Sequence, residues 1–369
     1  MSAVRHAVVA GLAGCLLLAG CSGEDAGPGT GTSPTSSPSG SPTGSPTGSP
    51  GPAPAALDWQ PLPGRVQDTV TTNGRWTLTV TEAGDTATLE GPDGTTTTEA
   101  TGRERVSDAL LDDDWAVVVV ADRQETRPAR AEVTELATGE TWTVDGGSDV
   151  PTTTGGTWAL GAGRLAHASV TDTGSYCLAE VDLGTRASTL GWCAPERHGF
   201  NGARVTAAGT ALMTFDDSRP SCRTLGLAPA GGGEDLTPFQ DVEECHGWDG
   251  LVLPDGDGTA EVWSVVPKEN RVEAARFAAR TADGELVDLG PGTSGTLVPC
   301  GDAAWFVQDP VRDGDPARLV RWSPEDGVST AYETTGSPAF LAPPRCGGSH
   351  IAVTALGESG DEQVSAPVG

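Results

Sequence analysis

From residue 57 to the end of the chain, short runs of alternating apolar and polar residues recur, each closed by a glycine-containing turn. The clearest copy is Ala131–Val144, AEVTELATGETWTV, which predicts a strand, a tight turn at Thr138-Gly139 and a second strand carrying Trp142 and Val144. Related pieces are TATLEGPDGTTTTEA, CLAEVDLGTRASTL, ARFAARTADGELVDL and RLVRWSPEDGVSTAYE. Their turn glycines, Gly94, Gly139, Gly184, Gly284 and Gly327, fall at intervals of 45, 45, 100 and 43 residues. The long interval holds one further unit around Leu225–Thr237. The apolar run Ala116–Val120 in WAVVVV predicts a short strand buried on both faces, as an inner blade strand is when sandwiched between neighbours. No segment keeps a helical apolar period; Val272–Ala282 comes nearest and fits a strand in step with the repeat.

A period near 45 residues is that of a four-stranded sheet repeated around a ring. The expectation is therefore an all-β, seven-bladed β-propeller over 57–369, with six or eight blades if a boundary near Leu225–Val265 shifts. The units run Gly64–Gly102, Arg103–Gly147, Ser148–Glu196, Arg197–Cys245, His246–Gly292, Thr293–Gly336 and Ser337 onward. The last contains only three strands, PAFLAPP, HIAVTAL and EQVSAPV, so Ala56–Leu62 is expected to supply its fourth and close the ring. EVTELATGETW resembles the repeats of quinoprotein-like and WD40-like propellers, in which a strand leads to Thr-Gly and then Trp. That resemblance implies the architecture only, because Trp142 stands three residues after Gly139 and no adjacent Cys-Cys pair accompanies it.

The beginning of the chain follows another pattern. Arg5 and His6 precede the apolar stretch Ala7–Leu17, which is short of the roughly 20 residues a spanning helix needs. Leu18-Ala19-Gly20-Cys21 resembles the lipobox of bacterial lipoproteins, which implies removal of residues 1–20 and lipidation of Cys21, palmitate included. Residues 21–56 are nearly all Ser, Pro, Gly and Thr, a composition that cannot bury enough apolar surface to offset ordering entropy. As a disordered tether they would reach about 33 Å as a coil and about 100 Å in polyproline form. The address expected is the extracytoplasmic face of the cell membrane, in a high-G+C, actinobacterial-type cell given one lysine, Lys268, among 22 basic residues.

Charge narrows the partners. The net charge is −29, all but one unit of it in residues 57–369, a field that repels nucleic acid and anionic lipid and favours solubility and cationic partners. Six cysteines lie in the folded part, an even count that in an exported chain predicts disulfides. Cys177 and Cys222 open the third strand of their units, and Cys193 and Cys245 follow the fourth. The repeat thus pairs Cys177 with Cys193 and Cys222 with Cys245 inside single blades. Cys300 and Cys346, one period apart, are paired across two blades. No CxxC is present, which argues against a redox or zinc role.

Candidate chemistry is sparse. His198 and His246 occupy equivalent places in HGFNG and HGWDG, as loop residues copied with the repeat or as a pair lining one face of the ring. Asp255, Asp257 and Glu261 alternate with glycines and resemble, in spacing, the Ca²⁺ loops of integrin-type propellers, although a plain hairpin turn explains them too. Asp112-Asp113-Asp114 and Asp313/Asp315 read as solvated turns, and Trp76, Trp115, Trp263 and Trp305 as packing at the start of inner strands. No nucleophile elbow, HExxH, P-loop or dinucleotide motif occurs. The function expected is a membrane-anchored, monomeric, non-enzymatic binding or scaffold module for a protein or glycan, with no bound cofactor. The alternatives are an extracytoplasmic hydrolase or lyase with an Asp/His site at the funnel and a calcium-dependent adhesion module.

Overall fold

A computed structural model describes residues 56–229, 235–267, 271–312, 314–336, 339–358 and 360–368. The expected signal segment, Cys21 and nearly all of the expected tether lie outside them.

Seven antiparallel sheets follow one another along the chain. The first six are simple four-stranded meanders, beginning at Thr69, Glu104, Trp158, His198, Gly247 and Val298. Each begins and ends inside the unit predicted for it. The fourth strands are the exposed ones, as in Gly94–Glu99 and Gly327–Glu333, so they form the rim and the first strands surround the axis.

Blade 7 closes the ring. His350–Gly357 and Glu362–Pro367 form its middle, and its outer strand is Gln60–Pro61, paired Gln60 to Ser365 and Pro61 to Val364. Trp59 locks this strand down: its indole N–H donates to the Ala331 carbonyl at 3.0 Å and its ring meets Tyr332 edge-on at 5.2 Å. Tyr332 in turn donates to Glu362.

The core is a set of interfaces between neighbouring blades. In Trp115–Asp122, Ala116, Val118 and Val120 pack with Leu78 and Leu89 of blade 1, while Val117, Val119 and Ala121 pack with Leu165 and Val181 of blade 3. Both faces of that strand are therefore buried, as its apolar run predicts. It is the second strand of its sheet, between the first, Glu104–Leu111, and the outer two. The reason is geometric: a first strand borders the central channel, whereas the second is sandwiched by neighbouring blades on both sides. Trp115, Trp263 and Trp305 likewise lie on second strands, and Trp76 just ahead of one.

The opening repeat, Ala131–Val144, forms the outer hairpin of blade 2, with Gly139 left-handed at φ 72°. In blade 3 Gly184 lies in the expected turn, between Tyr176–Asp182 and Ser188–Cys193, and the left-handed residue there is Arg186, at φ 61°. Val272–Ala274 makes a single 3₁₀ turn, and the strand expected there begins at Ala275.

Candidate functional site

The turns between first and second strands converge on one mouth of the channel. Those of blades 2 to 7 line a cavity of about 490 Å³, with Asp112, Asp114, Ala162, Ala207, Pro254 and Asp302 among its walls. Blade 1 contributes nothing to it, because its turn is bridged over. Asp113 of blade 2 accepts hydrogen bonds from the Ser349 amide at 3.1 Å and hydroxyl at 2.7 Å, joining the turns of blades 2 and 7 directly. Only glycine fits beside this bridge: a Cβ on Gly348 would lie 2.6 Å from Asp113, at φ 82°. The His350 ring fills the space above Gly74, where a Cβ would lie 2.4 Å from it. Cys300–Cys346 ties blades 6 and 7 at the same mouth.

Two of these turns share one local device. Asn73 Oδ1 accepts from the Arg75 and Trp76 amides, at 3.0 and 2.7 Å. Asp112 Oδ1 accepts from the Asp114 and Trp115 amides, also at 3.0 and 2.7 Å. A side chain that caps its own turn in this way holds the backbone rigid before the tryptophan. Asp112 is therefore not the solvated residue expected. It is half-buried, and burial, reinforced by the charges of Asp114 and Asp113, pushes its carboxyl up to about 6 although both amides pull it down.

Ser349 Oγ also lies 3.3 Å from His350 Nδ1. The trio is not arranged as a nucleophilic triad, since Asp113 engages the serine hydroxyl rather than the imidazole. It fixes the turns in place. Asp113 was read as part of a solvated turn, and its link to Ser349 was missed because the two belong to different blades, although the frame shared by Asn73–Trp76 and Asp112–Trp115 was legible there.

Deeper in the channel, Asp249 is buried and accepts from the Gly295 amide at 2.6 Å and the Ser264 hydroxyl at 3.1 Å. Burial raises its pKa, against the pull of the Arg204 charge and these donors. Arg204 spans from blade 4 to the Leu297 carbonyl at 2.9 Å.

The other predicted residues are placed as follows. The disulfides are Cys177–Cys193, Cys222–Cys245 and Cys300–Cys346, as the repeat implied. His198 and His246 do sit at equivalent points, at the start of blade 4 and just before blade 5. They serve different partners: His198 Nε2 is 3.9 Å from Asp216, and His246 Nδ1 is 3.6 Å from Glu243. Asp255 accepts from the Ala282 amide at 2.7 Å and Glu261 from the Gln240 amide at 3.0 Å, so these two carboxylates are committed to different loops. They do not gather with Asp257 into a ligand cluster among the described residues. Among the described residues the one cluster of that kind, Cys222, Glu244 and Cys245, has its sulfurs joined in a disulfide. Asp313 lies outside the described residues, and Asp315 accepts from the Arg312 amide.

No protein-family model matches the chain, and no curated protein does. Solved structures match at the level of the fold. The β-propeller domain of the Trilobed protease from Pyrococcus furiosus superposes with a TM-score of 0.54 at 9% identity, covering 81% of this chain and 94% of that one. A prolyl endopeptidase gives 0.52 at 11% identity, covering 78% of this chain and 44% of that one, so the chain spans under half of its length. A chain of the mitotic checkpoint complex gives 0.50 at 9% identity, covering 85% and 96%. At such identities the likeness shows the fold, a seven-bladed propeller. The Pyrococcus domain has an open velcro topology, whereas here Gln60–Pro61 closes the last blade.

Proposed function

We propose that the chain is a lipid-anchored extracytoplasmic binding module, held at the membrane through Cys21, whose propeller receives a protein or glycan at the mouth formed by the turns of blades 2 to 7. The observation that carries this reading is the mouth itself. It is a cavity of about 490 Å³ whose walls are short turns held by side-chain caps, the Asp113–Ser349 bridge and the Cys300–Cys346 disulfide. Rigid turns presented around one cavity bind without paying a large ordering cost. The fold similarity to peptidase propellers does not by itself supply an activity.

The test is crosslinking on the native cell surface, followed by recovery of the anchored protein. Ala207 is an exposed wall residue, and Ala207→Trp fills the mouth without touching the core. A partner captured by the wild-type chain and lost with Ala207→Trp supports the reading; equal capture by both overturns the assignment to the mouth. Cys21→Ser should abolish incorporation of a palmitate analogue, and unchanged labelling would refute the anchor.

A further inference from the structure

Blade 7 departs from the other six in its first strand. That strand is interrupted, with Ala339–Leu341 and Arg345–Cys346 both paired to His350–Gly357. Between them stand Pro343 and Pro344, which have no N–H to give to a ladder. Against this break, between blades 7 and 1, lies a cavity of about 330 Å³ lined by Val66, Asp68, Pro343, Arg345, Leu356 and Gln363, among others.

Arg345 is the unused group in it. It stays solvent-exposed and makes neither a hydrogen bond nor an ion pair with any described residue. Protein packed around it lowers its pKa, and the charge of Asp108, on the first strand of blade 2, acts in the opposite direction without touching it. The carboxylates around the cavity are already engaged. Asp68 accepts from the Glu82 amide at 3.0 Å, Glu82 pairs with Arg65 at 3.1 Å, and Asp361 accepts from the Gly357 amide at 3.1 Å. Beside the cavity, Phe340 and Leu356 face each other across the ladder and remain 54% and 42% exposed.

A guanidinium presents its donors as a planar fork that a carboxylate accepts bidentately, and such a pair is stronger inside protein walls than in bulk water. The neighbouring apolar pair suits a side chain attached close to that carboxylate. Asp68, Glu82 and Asp361 set the remaining condition: further negative charge on the ligand is repelled, and neutral or basic groups are favoured. We propose that the cavity between blades 7 and 1 binds the carboxy terminus of a neutral or basic peptide ending in an apolar residue, with the terminal carboxylate on Arg345. The site is independent of the mouth, whose lining shares none of these side chains.

Isothermal titration of the full-length chain with the peptide Gly-Lys-Ala-Leu, as the free acid and as its carboxy-terminal amide, tests this. The free acid should bind at least about ten-fold more tightly than the amide, since the amide removes a charge-assisted bidentate pair. Arg345→Gln should abolish the difference, and Arg345→Lys should keep part of it. Leu356→Asp, at an exposed position where folding is not at stake, should weaken the free acid by adding negative charge. Equal binding of acid and amide, no binding of either at millimolar concentration, or full discrimination retained by Arg345→Gln would each overturn the proposal.

Discussion

Replacing Asp112 by asparagine should stabilise the protein, and only above a defined pH. Asp112 caps its turn through Oδ1, which asparagine also has, and blade 1 uses Asn73 in this role with the same two hydrogen-bond lengths. The substitution therefore keeps the cap and removes a half-buried charge flanked by Asp113 and Asp114. The carboxyl moves from 3.8 to about 6 on folding. At about 1.4 kcal/mol per pKa unit this shift corresponds to roughly 3 kcal/mol, and partial exposure brings the expected gain to about 1–2 kcal/mol. The sign follows from proton linkage. The folded chain holds this proton more tightly than the unfolded one, so Asp112 costs nothing below its unfolded pKa. Its penalty grows as pH rises from about 4 to 6 and is constant above that. Urea unfolding of wild type and Asp112→Asn at pH 4 and pH 8 measures it directly. Equal stability at pH 8, or a gain of the same size at both pH values, would refute the reasoning.

Four further outcomes are expected. Asp249→Ala strands the Gly295 amide, the Ser264 hydroxyl and the Arg204 charge, and should cost about 3–5 kcal/mol in denaturant unfolding, with Asp249→Asn costing clearly less. Replacing both Cys300 and Cys346 by serine frees a loop with a sequence separation of 46, worth roughly 4 kcal/mol on the chain-entropy estimate, against roughly 3 for Cys177 and Cys193 at a separation of 16; chemical denaturation of the two double variants should reproduce that order. Trp59→Ala loses the Ala331 hydrogen bond and the Tyr332 contact, so amide exchange along Glu362–Pro367 should accelerate while blades 2 to 5 keep their protection. His167 is buried against Trp158 with Nε2 unpartnered, and burial lowers its pKa from 6.5. It therefore destabilises the fold as pH falls through about 6.5, and His167→Phe should flatten that acid limb of the stability profile.

The repeat was legible because a blade is local: four strands and three turns lie consecutively in the chain, and their alternation and glycines mark them without any long-range information. The same property carried the disulfides, since equivalent positions in a repeat are equivalent in space. Cys177 and Cys193 oppose each other across one ladder, and Cys300 and Cys346 occupy matching points of adjacent blades. Even the closing strand at Gln60–Pro61 could be inferred, from a blade that lacked its fourth strand. The stretch where the blade boundary was open in the sequence holds a short outer strand, Thr237–Pro238 in blade 4.

What alternation could not assign is the role of a strand within the radius of the ring. WAVVVV announced burial on both faces, but only the stacking of blades shows that the second strand has that environment and the first borders the channel. The candidate sites follow the same division. His198 and His246 matched in sequence and occupy matching places, yet each lies near a different carboxylate, Asp216 and Glu243. Asp113 and Ser349 stand 236 residues apart and meet at 2.7 Å, and Arg345, beside a strand broken by two prolines, makes no ion pair with any described residue. The sequence by itself determined the repeat and its covalent ties, because these depend on local period and on equivalence between repeats, and the seven sheets of the ring settled a blade count that the period left at seven, six or eight. Only the closed ring decided which side chains face a cavity and which charges go unpaired, because those depend on residues that closure brings together from different blades.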